Sequence, residues 1–180
     1  LPPICEKGDL VTFSLTGPNA GSDISSLATT ARKDGDHYII NGTKCFITNA
    51  SYSAYHTVFA NVVDGSGAKK LSVFMLEDSM PGVIKGKIEK KMGLRCSNTA
   101  ELIFEDVRVP KENLIGKEGD GFKLAMKTLD MARPSVGAIS LGIAQAAYEA
   151  ALEYSKTRIQ FGKPISHNQG IQFMLADMAT

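Results

Sequence analysis

Hydrophobic and polar positions change their period once along this chain. Up to about residue 117 the apolar residues come in short runs separated by turn-forming residues. Leu10-Val11-Thr12-Phe13-Ser14-Leu15 reads as a strand. Thr29 to Arg32, Tyr38 to Ile40 and Cys45 to Thr48 are further short runs with β-branched or aromatic members. Asp34-Gly35-Asp36 and Asn41-Gly42 punctuate them. Asn-Gly tolerates positive φ at both residues and predicts a tight hairpin turn. Thr57 to Val63 is the next strand, followed by a turn at Asp64-Gly65-Ser66-Gly67, a strand over Leu71 to Leu76 and a turn at Met80-Pro81-Gly82. Leu102-Ile103-Phe104 and Val107-Arg108-Val109 close the series. Many short strands at this spacing predict a barrel or sandwich.

After Gly119-Asp120-Gly121 the period becomes helical. Phe122, Met126 and Leu129 share a face; so do Val136, Ile139, Ile143, Ala147, Ala150 and Tyr154. Pro134 should kink this helix or divide it. Small residues crowd Gly137 to Ala147, which suits close packing inside a bundle. The helix should end near Arg158, with a turn at Phe161-Gly162-Lys163-Pro164 and a last helix from Asn168 through Gln169 to Ala179. The opening Leu1-Pro2-Pro3-Ile4 and the uncapped helical pattern Phe173 to Thr180 read as cut ends.

A length of 180 residues suits one domain, or one and part of another, and 43% hydrophobic residues suffice for a core. A net charge of +1 implies no general attraction to nucleic acid. Lys85, Lys87, Lys90 and Lys91 read as a solvated strand or loop, with an anion site as the alternative. Cys5, Cys45 and Cys96 are an odd, sparse set, expected as reduced thiols. His37, His56 and His167 lie far apart in sequence, and no zinc-type spacing occurs, so no metal is expected. No apolar run reaches membrane-span length and no charged-then-apolar leader opens the chain.

For chemistry, the stretch from Thr16 to Asp23 stands out. Two hydroxyls, two glycines and one carboxylate follow a strand, so backbone N–H groups and short hydroxyls can approach a ligand closely. A plain surface turn, with Ser22 and Asp23 capping a helix, is the alternative. Arg158 suits a pyrophosphate, because a guanidinium is always charged and donates in pairs; a cation near a helix C-terminus is its plainer role. No Ser/His/Asp triad, P-loop or strand-linked GxGxxG occurs, and Gly116 to Gly121 reads as a connector.

Three segments in order, Thr16 to Asp23, Lys44 to Asn49 and Arg158 to Gly162, resemble the acyl-CoA dehydrogenase flavoprotein family. That family's T-E-P-x-A-G-S-D element is matched except that Gly17 replaces Glu. Its W/F-I-T-N element is similar to Phe46-Ile47-Thr48-Asn49, its R-x-x-F-G element to Arg158 through Gly162, and Asp130-Met131-Ala132-Arg133-Pro134 matches as well. The resemblance covers essentially the whole chain. It implies an α+β fold: an antiparallel β-barrel middle domain over 1–117, then the first helices of an incomplete helical bundle over 118–180. It implies FAD as cofactor. Thr16 would meet the pyrimidine edge, Thr48 would lie near N5, and Phe46 would pack on the ring. Phe13, Leu15 and Ile47, in the strands that carry these residues, would be cofactor-binding as well. Ser22 would contact cofactor and the pantetheine or CoA portion of substrate, and Asp130, Met131, Ala132 and Arg133 would line the substrate channel. Arg158, Gln160, Phe161, Asn168 and Gln169 would contact FAD held mainly by another subunit of a homodimer or homotetramer.

The resembled family oxidises an acyl-CoA thioester to its 2,3-enoyl form, in fatty acid β-oxidation, and passes electrons to an electron-transfer flavoprotein. A glutamate takes the proton. One family position for it is Ala132 here, which cannot do so; the other lies in helix beyond Thr180. Proton transfer by a positioned side chain contributes about 10²–10⁴-fold, so this polypeptide alone is expected to be inactive. A short- or medium-chain acyl group is preferred on the same grounds. The rival reading is a non-catalytic module that binds a CoA ligand or a protein partner, motivated by Gly17 and the cut ends. A flavin monooxygenase of similar fold is a third. Location would be cytoplasmic in a bacterium and the mitochondrial matrix in a eukaryote.

Overall fold

The computed structural model describes residues 2–63 and 67–180; Leu1 and the Asp64-Gly65-Ser66 part of the expected turn lie outside the described residues. The elements are α1 (Pro2–Lys7), β1 (Val11–Ser14), β2 (Thr30–Asp34), β3 (His37–Thr48), β4 (Tyr55–Val63), β5 (Lys69–Glu77), β6 (Val83–Ile88), β7 (Thr99–Pro110), β8 (Leu114–Ile115), α2 (Gly121–Thr157), β9 (Ile159–Gln160), β10 (Lys163–Pro164) and α3 (Gln169–Ala179). Two compact units result, residues 1–125 and 126–180.

The first unit is one eight-stranded sheet ordered β6-β7-β3-β2-β4-β5-β8, with β1 also on β4. The α+β class holds, and the sheet departs from the expected antiparallel barrel on two points. The strand order is an open path rather than a closed ring, and β1 and β2 both run parallel to β4. The two share one edge of β4 in tandem. Val11 to Ser14 pair with Tyr55 to Val58, and Thr30 to Arg32 pair with Asn61 to Val63. The chain must therefore loop outward between Leu15 and Thr29, which is where the small-residue segment falls. Ala31, Ile40, Ile47, Val58, Phe74, Leu76, Leu102, Phe104, Val107 and Val109 form the core, with Tyr38 edge-on to Phe74 at 4.9 Å.

Asn41-Gly42 is not a hairpin turn. Residues 37–48 form one twelve-residue strand, and the β2–β3 turn is at Gly35-Asp36. Asn41 instead binds across to β7: its Nδ2 donates to Asp106 Oδ1 and its Oδ1 accepts from the Asp106 amide, both at 2.9 Å. One residue of β3, Asn41, there opposes two of β7, Glu105 and Asp106, and Asp106 takes the left-handed conformation (φ 49°) of the bulge. Gly42 serves a close approach: at φ +141° a Cβ would stand 2.8 Å from Thr29 Cα. The expected strands Leu102–Phe104 and Val107–Val109 are likewise one strand, bent at Asp106.

The connector after β8 is pinned to the sheet. Tyr38 donates to Glu118 at 2.6 Å, Lys33 pairs with Glu118 at 2.9 Å, and the Gly119 amide donates to Ser72 Oγ at 3.1 Å. Burial first, then Glu118, pushes the Tyr38 phenol up to about 12. Helix α2 runs 37 residues without a break at Pro134, so the expected division does not occur. Met131, Ala132 and Arg133 just before it are good helix formers and carry the helix across the one position lacking an N–H. The second unit continues with the β9–β10 hairpin and α3. No helix among the described residues is long and apolar enough to cross a membrane.

Candidate functional site

Strand β2 has five residues against twelve in β3, so the Thr43–Thr48 part of β3 has no ladder partner on that side. The loop leaving β1 takes the vacant edge. Lys44 Nζ donates to the Leu15 carbonyl and the Cys45 amide donates to the Thr16 carbonyl, each at 3.0 Å. Pro18 and Asn19 then turn the loop, closed by Gly17 N to Ala20 O at 2.9 Å and the reciprocal bond at 3.2 Å. Thr16 is thereby fixed beside the residue preceding Phe46.

Facing β7, the same part of β3 is bulged: Lys44 pairs with Leu102, and the next pair is Ile47 with Ala100. Phe46 is the extra residue. It holds a left-handed φ of 57° and is 66% exposed, between buried Cys45 and Ile47. A bulky residue in that region costs about 1–2 kcal/mol, and such strain clusters where a ligand is bound. Thr48 is exposed two residues on. Among the described residues, neither the Thr16 nor the Thr48 hydroxyl has a hydrogen-bond partner. Leu15 and Ile47 point into the core, so only their backbone atoms reach this rim. Phe13 is partly exposed and packs edge-on to Phe59 at 5.0 Å. Ser22 is exposed, and Asp23 caps the 3-10 turn Ile24–Ser26 through the Ser25 amide at 3.0 Å. Hydrogen bonds from Ser25 hold the Asp23 carboxyl below the usual range.

Two buried polar groups were given no role by the sequence reading. Lys44 is fully buried, and desolvation pulls its ammonium down to about 7. The other is His56, fully buried in β4. Its Nδ1 lies 3.1 Å from Thr12 Oγ1, which is 2.7 Å from Ser14 Oγ, and its Nε2 lies 3.1 Å from Asp78. Burial lowers the imidazole pKa, partly opposed by Asp78, so the ring is neutral near pH 7. Nε2–H then donates to Asp78 and Nδ1 accepts from Thr12. The Asp78 carboxyl, raised by burial, is lowered on balance by Lys85 and His56.

Several lysines of the expected cluster have partners. Lys85 pairs with Asp78 at 2.8 Å, Lys87 with Glu89 at 3.5 Å, and Lys91 donates to the Ser97 carbonyl.

The remaining expected residues lie in the second unit. Asp130, Met131, Ala132 and Arg133 are exposed on α2, with Arg133 paired to Asp130 at 2.9 Å. Arg158 is exposed, and its backbone joins α2 to the hairpin: its N–H donates to Tyr154 and its carbonyl accepts from Ile165, both at 2.9 Å. Phe161, at the hairpin tip with φ 51°, is 100% exposed, and Gln160 is exposed beside it. Asn168 and Gln169 open α3; the Asn168 side chain makes no capping bond.

The acyl-CoA dehydrogenase middle-domain family matches residues 12–107, and the acyl-CoA dehydrogenase C-terminal-domain family matches 119–180. Acryloyl-CoA reductase (NADH) of Anaerotignum propionicum is 50% identical over all of this chain and 46% of its own length. Butyryl-CoA dehydrogenase of Megasphaera elsdenii superposes with a TM-score of 0.90 at 50% identity, over 98% of this chain and 46% of that one. A chain of the electron transferring flavoprotein structure from Acidaminococcus fermentans gives 0.88 at 55% identity, over 98% and 47%. An acyl-CoA dehydrogenase of Bacillus anthracis complexed with FAD gives 0.90 at 39% identity, over 99% and 30%. The chain thus spans about half the length of the curated relatives it matches, 46% of the first. With two family matches covering most of its residues and a motif-bearing rim built as described, the chain belongs to the acyl-CoA dehydrogenase family.

Proposed function

We propose that this chain is the flavin- and substrate-binding part of an acyl-CoA dehydrogenase that forms the 2,3-enoyl product and passes electrons to an electron-transfer flavoprotein. One observation carries the reading. The Thr16 loop is tied to a bulged strand that holds Phe46 exposed and strained, with hydroxyls on Thr16 and Thr48 that have no partner among the described residues. An exposed ring beside uncommitted hydroxyls suits a flat heteroaromatic ligand with polar atoms on one edge. In this reading Phe46 packs on the isoalloxazine of FAD, and Thr16 and Thr48 donate to its edge. Phe13, Leu15 and Ile47 hold that rim in place, and Ser22 reaches toward the CoA portion. Bound FAD supplies the hydride acceptor.

Arg158, Gln160, Phe161, Asn168 and Gln169 would serve an FAD held mainly by another subunit of a homodimer or homotetramer. A ligand bridging subunits couples binding to assembly. Asp130, Met131 and Arg133 would line the acyl-CoA channel. Ala132 carries no proton-accepting group, so proton abstraction falls to a residue outside this chain. The division of labour we propose is flavin and substrate binding in 1–117 and channel and subunit contacts in 118–180.

The test is FAD titration followed by flavin fluorescence. The unaltered chain should quench it, and Thr16→Ala combined with Thr48→Ala should weaken binding about tenfold or more. No quenching by the unaltered chain at high micromolar concentration would overturn the reading. The same site working in reverse, reducing a short enoyl-CoA, is a second reading, favoured by the 50% identity to an acryloyl-CoA reductase.

A further inference from the structure

We propose that Lys44 is a positioning residue for the flavin rim: its buried amine fixes the Leu15 carbonyl and so sets where the Thr16 hydroxyl stands relative to Phe46 and Thr48. The inference rests on the flavin reading above. Lys44 is fully buried, its Nζ lies 3.0 Å from Leu15 O, and among the described residues it forms no ion pair. An apolar side chain of equal length would fill the same space without the cost of desolvating an amine. What lysine adds is an N–H aimed at one carbonyl.

That carbonyl needs it. Leu15 follows the last β1–β4 pair, Ser14 with Val58, so no ladder amide is available there. The next carbonyl, of Thr16, is taken by the Cys45 amide. Consecutive residues of β3 thus hold consecutive carbonyls of the loop, one through a side chain and one through the backbone. One anchor would let the loop pivot; two fix its direction. The clamp works in either protonation state, because ammonium and neutral amine both donate.

The experiment combines residue-resolved amide exchange with FAD titration of the 180-residue chain. In Lys44→Met the Cys45 amide should exchange about tenfold faster while Val58 and its β4 neighbours keep their protection, and FAD affinity should fall about tenfold. Lys44→Gln, which keeps a donor one bond closer to the backbone, should restore most of both. Unchanged Cys45 exchange in Lys44→Met would overturn the proposal. So would an equal loss of protection at Cys45 and in β4, which marks bulk destabilisation. Should Lys44→Met not fold, Lys44→Gln decides: Cys45 protection close to that of the unaltered chain supports the clamp, and a loss of about tenfold overturns it. If the unaltered chain takes up no FAD, the flavin reading falls, and Cys45 exchange still decides the clamp.

Discussion

Phe46 and Lys44 are two residues apart and do opposite things with the same bulge. Phe46 is turned out to solvent on a strained backbone; Lys44 is turned in, away from all water. Replacing Phe46 by glycine removes the penalty of φ 57° and loses little burial. We expect stability unchanged or up to about 1 kcal/mol higher in urea denaturation. The same variant should bind FAD about 5- to 100-fold more weakly, the usual range for losing an aromatic stacking surface. Gains in both would remove Phe46 from the site. Lys44 makes a pH prediction. Its pKa falls from 10.5 in the unfolded chain to about 7 in the fold. Below about pH 7 the amine is protonated in both states, and the folded chain carries the full cost of the buried cation. Between about 7 and 10.5 the unfolded chain binds the extra proton, so this contribution to stability rises with pH. Comparing urea midpoints at about pH 6 and pH 9 should show that rise reduced in Lys44→Met.

Glycines and bulges decide the elements. Strand β3 stays whole through Asn41-Gly42 because Asn41 spends both ends of its amide on Asp106, and Gly42 lets Thr29 come close. Gly42→Ala should destabilise by about 2–4 kcal/mol, as strained φ and overlap with backbone act together. Gly17 is different. Its φ is not positive, and a Cβ would meet Thr43 O at 3.5 Å and Leu27 Cδ2 at 3.6 Å, ordinary contact distances. Gly17→Ala should therefore change the midpoint by no more than about 0.5 kcal/mol. The contrast can be read in one set of denaturation curves. It also bears on the departure of Gly17 from the family pattern: the loop does not need glycine there, so the glutamate it replaces would find room for at least its Cβ.

At the scale of the whole molecule, the proposed reading separates binding from proton transfer. In that reading the rim would hold a ring, while Ala132 has no carboxylate to take a proton. A chain loaded with FAD should stay oxidised when butyryl-CoA is added anaerobically, with no loss of the flavin absorbance band; rapid bleaching would place a base within these residues. Some of this was legible in the sequence by physical pattern. The change from strand to helix near Gly121 follows from periodicity, and the last helix from Asn168 and the spacing after it, because local hydrogen bonding and one-sided burial dictate both. The Thr16 loop and the Phe46-Ile47-Thr48-Asn49 run were visible as motifs. Tertiary structure decided what local signals could not. A five-residue β2 beside a twelve-residue β3 leaves an edge open, and that edge captures the loop. Turn chemistry alone read Asn41-Gly42 as a hairpin, since nothing nearby in sequence reveals Asp106 across the sheet. The sequence by itself determined the run of strands, the change to helix near Gly121 and the motif-bearing segments, because these follow from local periodicity and composition. Only the fold decided that Lys44 is buried against Leu15 and that His56 meets Thr12 and Asp78, because those pairings join residues distant in the chain through the register of the sheet.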